Sequence, residues 1–329
     1  MRFPRKTGVY MRKDCHMARF ICCAALLLLS AGPGFAADSE GTSAAQFLRI
    51  GVGARESALG ETGAVVSGAL GMFYNPAGLG DVTGTELALS QVKWVMDVNY
   101  SNLAVARNCG FGVLGLSVNY LSMPKIDKYD KLGNKLDASF TAADMAAALG
   151  YGVKLSPRLG LGASARYISS SLDDKTAAVV AFDAGVKYAA VPGVLVIGAA
   201  LQNAGAKLKY ETESSPLPLN AKFGGAYTLT LDRDTDLQKN ISFFADVNRM
   251  KDSGLYGNAG LDFMSVYRDG TSFSFRGGYR TNAADKDAGA SLGLGIGANA
   301  YLIDYSYSLL GDLGQAHRLS VTLKFGAGS

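Results

Sequence analysis

What the chain has little of narrows the choices first. Beyond the first 36 residues no apolar run reaches the ~18 residues that a helix needs to cross a bilayer. The nearest, Tyr188 to Leu201, is broken by Pro192-Gly193, so a bundle of transmembrane helices is excluded. Charged residues are 18% of the sequence, against roughly 25% in an average soluble domain. Cysteine and histidine are scarce as well. Of four cysteines, Cys15, Cys22 and Cys23 fall in the N-terminal leader and only Cys109 remains, so no intramolecular disulfide is expected. With His16 also in the leader, His317 stands alone, which leaves little material for a histidine metal site or a Ser-His dyad.

The leader itself is well marked. Arg2, Arg5, Lys6, Arg12, Lys13 and Arg19 precede an apolar stretch from Phe20 to Ala31, and Gly34 and Ala36 supply small residues before Ala37. This order reads as a signal peptide over residues 1–36, cut between Ala36 and Ala37. Translation starts at Met1 or at Met17; the second shortens a long basic region. Cys22 and Cys23 open the apolar stretch rather than close it, which argues against lipid attachment there. Six of the 32 basic residues and one of the 28 acidic ones leave with the leader, so 26 bases face 27 acids, a net of −1. The formal +4 therefore gives no reason to expect a nucleic-acid partner.

What fills the rest is alternation. In Phe182-Asp183-Ala184-Gly185-Val186-Lys187-Tyr188 polar and small residues take one face and apolar ones the other. The same period of two runs through 241–247, 303–307 and 319–325, and period two means strands. About fourteen such segments can be marked: 86–95, 97–107, 111–121, 142–155, 158–168, 178–190, 194–204, 220–231, 240–248, 256–266, 271–280, 288–297, 299–308 and 317–325. Most exceed the ~5–6 residues of a globular strand and match the ~9–11 that span a bilayer at a tilt. The connections alternate too. Those at 108–110, 156–157, 192–193, 232–239, 268–270 and 298, most of them short, suit the periplasmic side. Those at 122–141, 169–177, 205–219, 249–255, 281–287 and 309–316, nearly all longer than their neighbours, suit the outside, with the first connection near Met96 the exception. The expected fold is an all-β, antiparallel, up-and-down transmembrane barrel of about fourteen strands over residues 86–329, in the outer membrane and in contact with its lipid.

Register assigns the faces. Arg166, Asp183, Lys187, Asp246, Asp262, Arg276, Arg280, Asp304 and Lys324 share the face opposite the apolar one and are expected to line the lumen, where opposite charges neutralise one another. Tyr120, Tyr167, Tyr188, Tyr305, Tyr307 and Phe325 fall on the lipid face, as in an interfacial girdle.

Residues 37–85 do not alternate. They hold the Gly-rich run Phe47 to Arg55, with Gly51, Gly53 and Arg55, then Ala58-Leu59-Gly60, then Asn75-Pro76-Ala77-Gly78-Leu79. Low charge and small residues suggest burial inside the barrel. With these elements and the strand count, the chain resembles the PorV/PorQ-type outer-membrane proteins, which are similar to the FadL-like long-chain fatty-acid channels. The Asn-Pro-Ala-Gly-Leu element carries most of that resemblance. The four residues after Phe325 depart from the usual terminal aromatic. The resemblance implies that residues 37–85 form a hatch inside a fourteen-stranded barrel, with that role falling on Asn75, Pro76 and Ala77. It implies either uptake of hydrophobic compounds, a small apolar molecule being the partner in the lumen, or service to a type IX secretion machine, with secretion-system proteins as partners.

Competing readings are weaker. Gly51 and Gly53 have no preceding strand and no following Lys-Ser/Thr, so tight packing is preferred to a phosphate loop. His317 with Ser320 lacks a matched acid for a hydrolase. Asp173-Asp174 lacks the ligand spacing of a calcium loop. No catalytic residue, metal or cofactor is expected. A general diffusion porin and a secreted soluble β protein remain the alternatives.

Overall fold

A computed structural model of the chain describes residues 42–94, 97–231, 236–281, 289–311 and 314–326. The leader and its cleavage site lie outside them. Alternation decides the architecture. Strands β1 (Thr85–Lys93), β2 (Asn99–Asn108), β3 (Val113–Ser122), β6 (Ala142–Lys154), β7 (Leu159–Leu172), β8 (Lys175–Val191) and β9 (Leu195–Gly205) form the first half of one sheet. It continues through β12 (Asn220–Leu231), β13 (Leu237–Met250), β14 (Gly254–Tyr267), β15 (Ser272–Arg280), β16 (Gly289–Ala298), β17 (Tyr301–Leu309) and β18 (Gln315–Phe325). Each barrel strand pairs antiparallel with its neighbours, and β18 returns to β1 in register from Thr85↔Phe325 to Lys93↔His317. The result is a closed barrel of fourteen strands. Closure pairs every strand edge, the condition for a sheet to lie in lipid.

The faces are inverted relative to a soluble protein. Along β3 the outward side chains are Leu114, Leu116, Val118 and Tyr120, whereas Gly115, Ser117 and Asn119 point inward. β16 sends Leu292, Leu294 and Ile296 out and Ser291, Gly293 and Gly295 in. Leu116, Phe275 and Leu292 are each 60% or more exposed. A continuous apolar exterior of this kind does not suit water, which counts against the secreted soluble alternative. Tyr120, Tyr167, Tyr305 and Phe325 are exposed on that exterior; Tyr188 and Tyr307 are half-buried there. Among the described residues no helix is long and apolar enough to cross a membrane.

The connections need correction at the long-loop end. Segments 122–141 and 205–219 are not plain loops: each folds into a two-stranded ribbon, β4 (Ile126–Tyr129) with β5 (Lys135–Phe140), and β10 (Leu208–Tyr210) with β11 (Glu213–Ser215). Segment 169–177 is mostly strand, because β7 and β8 stay paired to Leu172↔Lys175 and turn only at Asp173-Asp174. Likewise β13 and β14 pair to Met250↔Gly254. Where the chain leaves the membrane band, continued pairing satisfies backbone amides that a loop would leave to water. Asp173 and Asp174 pair with Lys128 and Lys175, consistent with a solvated turn rather than a calcium loop.

Candidate functional site

Residues 43–82 run inside the barrel from the long-loop end to the short-turn end. At the start Ala44 N donates to Pro216 O, and Gln46 Nε2 donates to Asp252 at 2.9 Å, both partners in long-loop connections. Halfway down, Gly53, at φ 83°, donates to Ser90 Oγ and Ala54 N donates to Ser320 Oγ, residues of β1 and β18. A short helix, Ala54–Ala58, then crosses β15, β16 and β17. Gly63 N and Ala64 N donate to Asp246 at 2.6 and 2.9 Å. After a second helical turn, Gly71–Tyr74, the chain reaches the Asn-Pro-Ala element and leaves for β1 at Thr85.

Asn75 is fully buried and does the work of several residues. Its Oδ1 accepts from Ala77 N at 3.1 Å, capping the 3-10 turn Pro76–Asp81, with Pro76 suited to the first helical position. Its Nδ2 donates to Ala64 O at 2.6 Å within the segment and to Val186 O at 3.1 Å on β8, with Ala199 O on β9 at 3.3 Å. The element thereby ties the segment to itself and to the wall. Glycine makes the wall a close fit: a Cβ at Gly185 would overlap Asn75 Oδ1, one at Gly162 would overlap Pro76, and one at Gly278 would overlap Gly60 N. Leu79 and Met72 sit over Gly115, Gly150 and Gly152 in the same way. Gly51 and Gly53 face Glu61 and Glu56, with no room for a side chain.

The inward charges are paired, as their opposite signs suggest. Arg166 and Asp183 lie 2.8 Å apart, and Arg166 also donates to Met72 O on the segment. Arg276 joins Asp262 at 3.2 Å and Asp304, while Arg55 of the segment reaches Asp262 at 3.6 Å and Glu56 at 3.2 Å. Arg280 meets Glu61 at 2.6 Å. At the short-turn end Asp81 bridges Lys187 and Lys154. Partial burial pushes the Asp81 carboxyl up, but Lys187, Lys154 and Ser67 outweigh it, so Asp81 titrates below the ordinary carboxylate range. Lys324 keeps the inward register yet stands exposed at the short-turn mouth, opposite Glu86 of β1. His317 and Ser320 are on opposite faces: His317 shares a hydrogen bond with Tyr305 Oη outside, and Ser320 binds Ala54 inside. A dyad between them is excluded by strand geometry.

Several residues escaped the sequence reading. Glu61, at φ 64°, also faces Arg318 at 3.6 Å, and Arg318 is fully buried beneath Trp94, 5.3 Å from its ring. Lys222, another inward residue, lies 4.9 Å from the Tyr74 ring. Gln202, Asn220, Asn248 and Asn258 form a hydrogen-bonded amide belt ending on Phe73 O and Gly60 O. The parity that selects Lys324 also selects Arg318, so that signal was present.

The segment divides the lumen. Under residues 48–52 lies a polar cavity of about 50 Å³, bordered by Glu61, Tyr100, Asn119 and Lys222. Toward the short turns a vestibule of about 420 Å³ is lined by Val65, Val66, Leu70, Phe244 and Leu302, with Arg55, Asp304 and Lys324 among them. Above both, at the long-loop end, the interior is apolar: Phe47 packs edge-on to Tyr100 at 6.4 Å, in a cluster with Leu121, Val179, Leu208 and Leu217. Leu48, Ile50, Trp94 and Tyr210 are packed on it and remain partly exposed.

No protein-family model matches the sequence, and no curated protein matches it either. Solved structures do. The toluene transporter TbuX of Ralstonia pickettii superposes with a TM-score of 0.55 at 15% identity, covering 84% of this chain and 98% of its own. The toluene transporter TodX of Pseudomonas putida gives 0.55 at 13%, covering 83% and 96%, and the monoaromatic hydrocarbon channel CymD gives 0.53 at 14%, covering 84% and 98%. The chain has the fold of these barrels. At such identities the likeness concerns architecture, so side chains have to be read from this chain alone. Each of these neighbours is covered nearly end to end by the superposition.

Proposed function

We propose that the chain is a FadL-like outer-membrane channel for small hydrophobic compounds, with residues 37–85 as its hatch and Asn75, Pro76 and Ala77 as the hatch's anchor. The observation that carries this reading is the set of partly exposed apolar side chains, Leu48, Ile50, Trp94 and Tyr210, that lie on the buried Phe47 cluster inside the long-loop mouth. Water gains nothing from such a surface, whereas an apolar solute leaving water for it gains roughly 25 cal/mol per Å² buried. The structural neighbours are toluene transporters and a hydrocarbon channel, which favours the same class of cargo. The secretion role implied by the PorV/PorQ resemblance has no support among those neighbours. A general diffusion porin is disfavoured because the segment and its ion pairs occupy the lumen that water and ions would need.

Uptake decides it. Proteoliposomes holding the full chain should accumulate labelled toluene or a labelled fatty acid faster than liposomes without it. No acceleration, together with co-purification of secreted proteins, would replace the channel by a secretion component.

A further inference from the structure

Register aligns the outward side chains of β17, β18, β1, β2, β3 and β6 into rows across the wall. The row nearest the long loops is Tyr307, His317, Lys93, Asn99 and Ser122. Next comes Tyr305, Leu319, Gln91, Ser101 and Tyr120; below it Val321, Leu89, Leu103, Val118 and Ala147; then Leu323, Leu87, Val105, Leu116 and Leu149. Two features set this wall apart. Gln91 and Ser101 put polar side chains on the lipid face between tyrosines, held together by a 2.6 Å hydrogen bond from Ser101 Oγ to Gln91 Oε1. That bond leaves the Gln91 amide donor with only a 3.5 Å contact to Val92 O, and an amide facing hydrocarbon without a partner is costly.

Directly below, the wall is hollowed. One recess of about 450 Å³ lies among Leu89, Gln91, Ser101, Tyr120 and Leu319. A second, of about 660 Å³, lies where Ala147 and Ala165 are flanked by Leu116, Leu149 and Tyr167. Both are bordered by Leu103 and Val118, so the two recesses adjoin across that pair and together make up a trough crossed by these two side chains. From the Gln91 row to the Leu87 row is about 13 Å along the strands, close to the ~15 Å hydrocarbon depth of a single leaflet. Water does not fill an apolar recess at that depth; hydrocarbon does. Above the trough stands the cation Lys93 beside His317, while the β1–β2 connection carries Asp97.

We propose that this wall is a binding site for one anionic lipid of the long-loop-side leaflet, an acyl chain lying in the trough and the head group held by Gln91, Ser101, Lys93 and His317. The site is independent of passage through the lumen. A carbonyl or hydroxyl at the chain's polar end meets the weakly engaged Gln91 Nε2, and a phosphate meets Lys93.

Native mass spectrometry of the full-length barrel in neutral detergent tests it, with bisphosphorylated lipid A as probe and phosphatidylethanolamine as the zwitterionic control. One lipid A should be retained in preference to phosphatidylethanolamine. Lys93→Glu should weaken retention about tenfold, and Ala147→Phe with Ser101→Leu, which fill the trough, should abolish it. Lys251→Glu, at the same rim on the far side, should change nothing. Heat-modifiable mobility on electrophoresis verifies that each variant is folded. Equal retention of both lipids, or retention of lipid A unchanged in folded Lys93→Glu and trough-filled variants, would overturn the proposal.

Discussion

Asn75 shows how much one side chain can carry when nothing else can reach. Its amide serves the segment, β8 and β9 together, and its carbonyl caps the turn that follows. Asn75→Ala should therefore lower stability by about 3 kcal/mol, from orphaned buried carbonyls and a lost cap, read as a lower urea midpoint in detergent micelles. Glu61 is the second such residue, facing Arg280 and Arg318 from a left-handed backbone position. Glu61→Gln should cost about 2–3 kcal/mol, because two guanidinium groups lose their acid. Adding Arg280→Gln should recover part of the loss, and a full additive loss in that double-mutant cycle would refute the coupling. Asp81 adds a pH dependence. Its folded-state pKa lies below its unfolded value, so the stability from its lysine pairs is present above the unfolded pKa and fades as pH falls through the folded one. Acid unfolding of Asp81→Asn should accordingly show a smaller pH dependence than that of the parent chain.

At the scale of elements, the strands were legible because a period of two survives any tertiary context, and fourteen segments marked by alternation correspond to the fourteen barrel strands. Parity likewise groups Arg166, Asp183, Asp262, Arg276 and Asp304 on one face, and all five are buried. What parity cannot supply is partner choice. Glu61 finds Arg280 across 219 residues only because the barrel closes around the segment. The ribbons at 122–141 and 205–219 were missed because their strands are only three to six residues long, so even the alternation of Leu136-Asp137-Ala138-Ser139-Phe140 falls short of a membrane-spanning segment. Glycine on the inner wall was visible as composition, but its purpose, direct backbone contact with residues 58–80, appears only once the segment is in place. Gly278→Val tests that purpose. Its branched side chain would collide with Leu59 and Gly60, so the barrel should still form and show heat-modifiable mobility while the segment sits less firmly, with increased cleavage near Gly60 by added protease.

For the whole molecule, the exterior, the wall and the filling answer one requirement. Lipid outside demands a closed sheet and an apolar surface. Closure leaves an interior too wide for fourteen rows of small and polar side chains to fill, and residues 43–82 fill it with their own amides paired to wall acids, serines and carbonyls. On this account the barrel is sealed to ions yet offers an apolar mouth to greasy solutes. Planar-bilayer recording of the intact chain beside one lacking residues 43–82 tests that most directly. The account predicts no steady ion current from the intact barrel and a large, persistent one from the shortened barrel. Steady current through the intact chain, or none through a correctly folded shortened one, would contradict it.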